Sequence, residues 1–186
     1  AINPFLRNWR EKLPPGSHGE LEAALHGKMV KSDTGEIQLA ATQKSMTIVT
    51  PRSEVFAFLE SASGKIASFK GDGSPLTAAL LSLDGLPLDK SRKILLLHLT
   101  DIAGSRQKFI DEQCLQLESW GTLPLLVKRS RMEVSLNLPE AMKVEALRLD
   151  GSSAATVKAD YRDGALHFKA DTAARPEGVM AYLLSR

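Results

Sequence analysis

Strict alternation of apolar and polar residues constrains this chain more than any other feature. In residues 131–138, Met132, Val134, Leu136 and Leu138 fall on one side, while Glu133, Ser135 and Asn137 fall on the other. That period belongs to a β-strand with one wet face. It returns in residues 155–161, where Ala155, Val157, Ala159 and Tyr161 alternate with Thr156, Lys158 and Asp160. It returns again in residues 165–171, where Leu166, Phe168 and Ala170 alternate with His167 and Lys169. Between these two stands Arg162-Asp163-Gly164, and an Asp-Gly pair supplies the positive φ angles of a tight hairpin.

The same reading extends upstream. Residues 44–50 and 54–60 predict short strands on either side of Pro51, which cannot donate to a central ladder and so marks a strand end or edge. Residues 64–69 and 76–83 follow, separated by the Gly71-Asp72-Gly73-Ser74-Pro75 turn. Ile94 to Leu97 is continuously apolar, which suits a strand covered on both sides. In 143–150 the alternation slips at Ala146 and Leu147, as a β-bulge would require. Residues 125–127 and 178–186 complete the set.

The expected fold is therefore all-β, an antiparallel β-sandwich of about ten to twelve short strands. Helix is expected only near the start, in 5–13 and 20–30, which are rich in helix formers. Two regions follow: residues 1–30 as an extension or interdomain linker, and 31–186 as the β-sandwich domain. A chain of 186 residues hides roughly 70% of its unfolded surface on folding, so no metal or disulfide staple is needed.

Composition removes several functions. With 24 basic against 22 acidic residues and no run of five or six like charges, a nucleic-acid partner is not expected. No apolar stretch approaches the roughly 18 residues needed to cross a bilayer. The opening residues lack the basic-then-apolar order of a signal peptide. Cys114 has no second cysteine to pair with and is expected to be a small buried apolar side chain.

Three constellations invite a chemical reading. Asp33-Thr34-Gly35 is the triplet of aspartic proteases, but it occurs once, follows Lys31-Ser32 rather than an apolar strand, and precedes Glu36. A turn into a strand at Ile37 accounts for it. Lys28-Met29-Val30-Lys31-Ser32 is similar to the phosphate-binding loop of one class of aminoacyl-tRNA synthetases, without the α/β pattern that loop needs. His18, His26, His98 and His167 show no metal-ligand spacing, and no serine stands in a nucleophile elbow. No catalytic, cofactor-binding or metal residue is nominated, and no cofactor is expected. Candidates for glycan or interdomain contact are Trp120, in a loop before 125–127, together with Trp9 and Tyr161; for Trp120, packing is the more common role of such a ring.

The segments SDTGEI, TPRSEVFAFL and SLDGLPLDKSRKILLLHLTD, in order from Ser32 to Asp101, resemble the C-terminal β-rich part of bacterial glycoside hydrolases whose catalytic (β/α) barrel comes first. The anchor is Ser82-Leu83-Asp84-Gly85-Leu86-Pro87-Leu88, followed by Ser91 and the strand from Ile94. A weaker likeness continues from Trp120-Gly121 to the last residues. Where those relatives carry Asn-Thr-Gly, this chain has Ala103-Gly104-Ser105. The resemblance implies a noncatalytic module of a secreted enzyme, extracellular or periplasmic, partnered by the preceding catalytic domain of the same polypeptide and by polysaccharide. In that setting Phe5, Leu6 and Trp9 would pack on the preceding domain. An independent carbohydrate-binding module is the alternative, and a stand-alone hydrolase is less expected still.

Overall fold

A computed structural model describes residues 29–40, 42–111 and 114–186. The extension with its two expected helices, and with it Trp9, lies outside the described residues up to position 28. Met29 and Val30, the end of the second expected helix, lie in a strand instead.

The described chain is all-β, without a helix, and its strand pairings are antiparallel. A meander opens it: β1 (Met29–Lys31), β2 (Ile37–Ala40), β3 (Ser45–Val49) and β4 (Ser53–Phe58). The chain then leaves for a second sheet with β5 (Ser61–Ser63) and β6 (Ala67–Lys70), and returns with β7 (Leu76–Ser82) and β8 (Lys93–Leu99). An excursion follows, built from β9 (Ile102–Ser105), β10 (Lys108–Phe109), β11 (Leu117–Ser119) and β12 (Thr122–Val127). β13 (Arg131–Asn137) belongs to the second sheet, β14 (Lys143–Leu147) and β15 (Ser153–Val157) to the first. β16 (Asp160–Arg162) and β17 (Ala165–Asp171) complete the second, and β18 (Ala181–Ser185) closes the first. The first sheet has nine strands in the order β1-β2-β3-β4-β7-β8-β18-β14-β15, and the second has five in the order β16-β17-β13-β6-β5.

Both sheets contribute to one core. Phe56, Leu80, Ile94, Leu96, Tyr182 and Leu184 come from the nine-stranded sheet, and Phe69, Met132, Leu136, Leu166 and Phe168 from the five-stranded one. Phe69 is the hinge of the packing, edge-on to Phe56 at 5.1 Å and stacked on Phe58 at 6.0 Å between ring centres. Such pairs add specificity to plain burial. Alternation predicts β13 well: Met132, Val134 and Leu136 are buried and their neighbours face out. The Asp163-Gly164 hairpin also forms, with φ of 52° and 74° and Arg162 opposite Ala165.

Other expectations need correction. Eighteen strands are present among the described residues where ten to twelve were expected, because β1, β5, β9, β10 and β11 form in segments where none was expected and one expected strand is divided. Residues 155–161 are not one strand: β15 pairs with β14 in the first sheet, and β16 pairs with β17 in the second. The alternation persists across this crossing because both strands turn their apolar side toward the same core. The irregularity at Ala146 and Leu147 is real, but the extra residue is Ala154 on β15, since Ala146 faces Ala155 and Leu147 faces Ser153. Leu95 and Leu97 are only half-buried, so β8 is fully covered on one side alone. Cys114 is exposed.

Candidate functional site

The nine-stranded sheet is apolar on both faces, which a sheet with a wet outer surface is not. Register places Ile37, Ile48, Val55, Ala79, Leu97, Ala181 and Leu147 side by side in one row across seven strands. At about 4.8 Å per strand the row is roughly 29 Å wide. None of the seven belongs to the core that joins the two sheets. A parallel row two residues away holds Leu39, Met46, Ala57, Thr77 and Leu99. Exposure is uneven along the row: Ile37 is 45% exposed on β2, Ile48, Val55, Leu97, Ala181 and Leu147 are half-buried, and Ala79 is buried. An apolar surface of this extent marks an interaction site.

Between β8 and β13 the chain makes an excursion, the arm of residues 102–127. Within it β9 pairs with β12 and β10 with β11, and neither ladder joins the larger sheets. Its root is narrow. Lys128 N donates to Asp101 O at 2.8 Å, and the Thr100 hydroxyl donates to Lys128 O at 2.8 Å. The arm carries its apolar residues outward: Leu115, Trp120 and Leu123 are each more than 80% exposed, and Ile110, Leu125 and Leu126 follow. Leu123 and the cis-bonded Pro124 bulge from the ladder, since Thr122 faces Ser105 and Leu125 faces Gly104. At Gly104 a Cβ would collide with the Trp120 carbonyl oxygen, so close strand approach requires glycine there. Leu39, Met46 and Leu99 of the sheet face, with Asp101 and Lys128 of the arm root, line a groove of about 620 Å³.

Polar groups inside the fold are structural. Glu54, 1% exposed on β4, accepts the backbone N–H groups of Lys65, Ile66 and Ala67 at 2.8–2.9 Å and so ties the first sheet to the turn between β5 and β6. His98 and Ser130 are fully buried, 3.3 Å apart between Nε2 and Oγ. Ser130 N donates to the Thr172 hydroxyl at 2.9 Å, and Asp72 accepts from Arg131 N at 2.8 Å. His98 Nδ1 has no partner among the described residues, where a catalytic histidine would meet an orienting carboxylate. Burial holds the His98 pKa below its ordinary value, against the pull of Asp72 and Asp171. The arrangement is a packed polar knot.

Asp84, the centre of the segment 82–91, organises a loop. It accepts from Arg92 N at 2.7 Å, Ser91 Oγ at 2.8 Å, Ser82 Oγ at 2.9 Å and Leu86 N at 3.3 Å, led by the Arg92 bond in holding its carboxyl far below the usual range. Asp33-Thr34-Gly35 forms the turn between β1 and β2, closed by Gly35 N donating to Ser32 O at 2.8 Å. Among the described residues no group of three His, Cys, Asp or Glu could hold a metal ion, and no helix is long and apolar enough to cross a membrane.

Of the residues singled out in the sequence, Trp120 is 82% exposed near the arm's turn. Tyr161 packs its ring against the core and donates its hydroxyl to Leu138 O at 2.9 Å, well away from the arm. The structure therefore does not gather these two into one site, and Trp9 lies outside the described residues. Sequence reasoning missed the row on the outer face, whose signal was the unbroken Ile94–Leu97 run, and missed the arm. No family model, no curated protein and no solved structure matches the chain.

Proposed function

We propose that this chain is a noncatalytic β-sandwich module of a secreted bacterial glycoside hydrolase, and that it braces the catalytic domain preceding it in the same polypeptide. The observation that carries this reading is the seven-strand apolar row on the outer face of the nine-stranded sheet. A surface of that kind needs a folded partner, and a domain seated on it would also fill the groove beside Leu39, Met46 and Leu99. The sandwich reading is supported by the single core to which both sheets contribute. The noncatalytic reading is supported by the structural employment of Glu54, His98, Ser130 and Asp84. An extracellular or periplasmic location follows from the enzyme class and rests on the sequence resemblance.

The independent carbohydrate-binding alternative gains little from the arm, where Trp120 stands among aliphatic residues rather than in an aromatic strip. The test is the size of the native product in source cells, detected with an antibody to this chain. A polypeptide several times heavier than 20.2 kDa is expected, and in it Leu97→Lys should increase proteolysis at the domain junction. A native product near 20.2 kDa would overturn the proposal.

A further inference from the structure

The outward face of the five-stranded sheet is built on different chemistry. Register aligns Ser63, Ser68, Ser135, His167 and Asp160 in one row across all five strands. Beside it runs a second row, Ser61, Lys70, Glu133 and Lys169. A groove of about 420 Å³ lies over these rows, and a second of about 390 Å³ adjoins it, sharing Lys70, Glu133 and Lys169. Phe69, Val134 and Phe168 contribute to the floor only through backbone, because their side chains are buried in the core. The larger groove holds Lys70, Arg162 and Lys169 against one carboxylate, Glu133, while the adjoining one adds Arg131 against Asp72 and Asp171, so the cationic excess belongs to the larger groove. Glu133 is 3.7 Å from Lys169 and Arg162 is 3.7 Å from Asp160, both pairs exposed, where such pairing is weak and readily exchanged for a ligand.

We propose that this trough binds an extended acidic polysaccharide chain, carboxylated or sulfated. Hydroxyl and imidazole groups recur on four successive strands, from Ser63 to His167, about 4.8 Å apart, a spacing close to one sugar unit, so a chain crossing these strands meets a hydrogen-bonding partner at each residue. Lysines on both sides of Glu133 supply the charge for an anionic substituent. A folded protein partner is disfavoured, since no apolar side chain points outward here. Single-stranded nucleic acid is disfavoured too, since the trough offers no outward Phe, Tyr or Trp ring for base stacking and His167 is its one imidazole. This face is turned away from the core on the side opposite the apolar row, so the proposal is independent of the docking reading.

The experiment is isothermal titration of the full chain with hexagalacturonate, with a sulfated carrageenan hexamer, with neutral cellohexaose and with oligothymidylate. Binding of either acidic glycan is expected, which of them binds more tightly identifying the anionic group. Lys70→Ala/Lys169→Ala is expected to weaken that binding by about tenfold or more, as loss of charge-assisted contacts does, with an unchanged melting temperature because both side chains are exposed. Failure of both acidic glycans to bind at millimolar concentration would overturn the proposal. So would affinity unaltered in the double variant, equal affinity for cellohexaose, or tighter binding of oligothymidylate.

Discussion

Glu54 shows how one residue can connect two sheets. Three backbone N–H groups of the turn between β5 and β6 converge on its carboxylate, and two of those bonds are buried. Removing an acceptor that serves several buried donors costs the desolvation of each. Glu54→Ala should therefore lower unfolding free energy by about 3 kcal/mol or more, read from urea denaturation at neutral pH. Glu54→Gln keeps the shape and one oxygen, but turns an amide N–H toward a backbone donor, so its loss should lie between the two. Equal stability of all three proteins would mean that water satisfies the turn equally well. Nothing in the sequence announced this role, because a glutamate at the start of an alternating strand reads the same whether its side chain meets solvent or a neighbouring sheet.

At the scale of elements, the strands that the sequence disclosed were those with one wet and one buried side. β13 and β17 alternate because the core lies under every second residue, and the hairpin between β16 and β17 is declared by Asp163-Gly164. Strands that break this condition were illegible. In β12, Leu123, Leu125 and Leu126 are all exposed, so the arm offers composition without period and looks like an ordinary buried strand. Cys114 was misjudged for the same reason: it sits in the arm, where the usual burial of a small apolar side chain does not apply. The narrow root makes the arm's independence testable. Joining Asp101 directly to Lys128 through Asn-Gly, in place of residues 102–127, should leave a folded body, because these two residues are already hydrogen-bonded neighbours. The melting temperature should move by less than about 4 °C, which corresponds to roughly 1 kcal/mol for a domain of this size. Loss of cooperative melting would instead make the arm part of the core structure.

For the whole molecule, the seam between the sheets couples stability to pH. His98 on β8 meets Ser130 just before β13, and Ser130 N donates to the Thr172 hydroxyl at 2.9 Å just after β17. Burial lowers the His98 pKa in the folded state, while Asp72 and Asp171, the charges that face it, raise it and only partly compensate. As pH falls past the ordinary value of 6.5, the unfolded chain takes up a proton that the folded one still refuses. The stabilisation from neutral His98 is thus complete above pH 6.5 and shrinks on acidification until the folded pKa is passed, at no more than about 1.4 kcal/mol per pH unit. A second loss belongs to lower pH. Arg92 N leads the bonds that depress Asp84, and in Asp171 burial is outweighed by Ala173 N, Arg131 and Arg129, so both carboxyls stabilise above their ordinary 3.8 and cease to as they protonate below it. Urea midpoints should therefore fall between pH 7 and pH 5 in the wild type, while His98→Gln, which can still donate to Ser130, should be nearly flat over that interval. Parallel curves for the wild type and His98→Gln would place the titrating group elsewhere; convergence of the two only at acid pH would make the buried imidazole the group that sets the acid limit of the joined sheets.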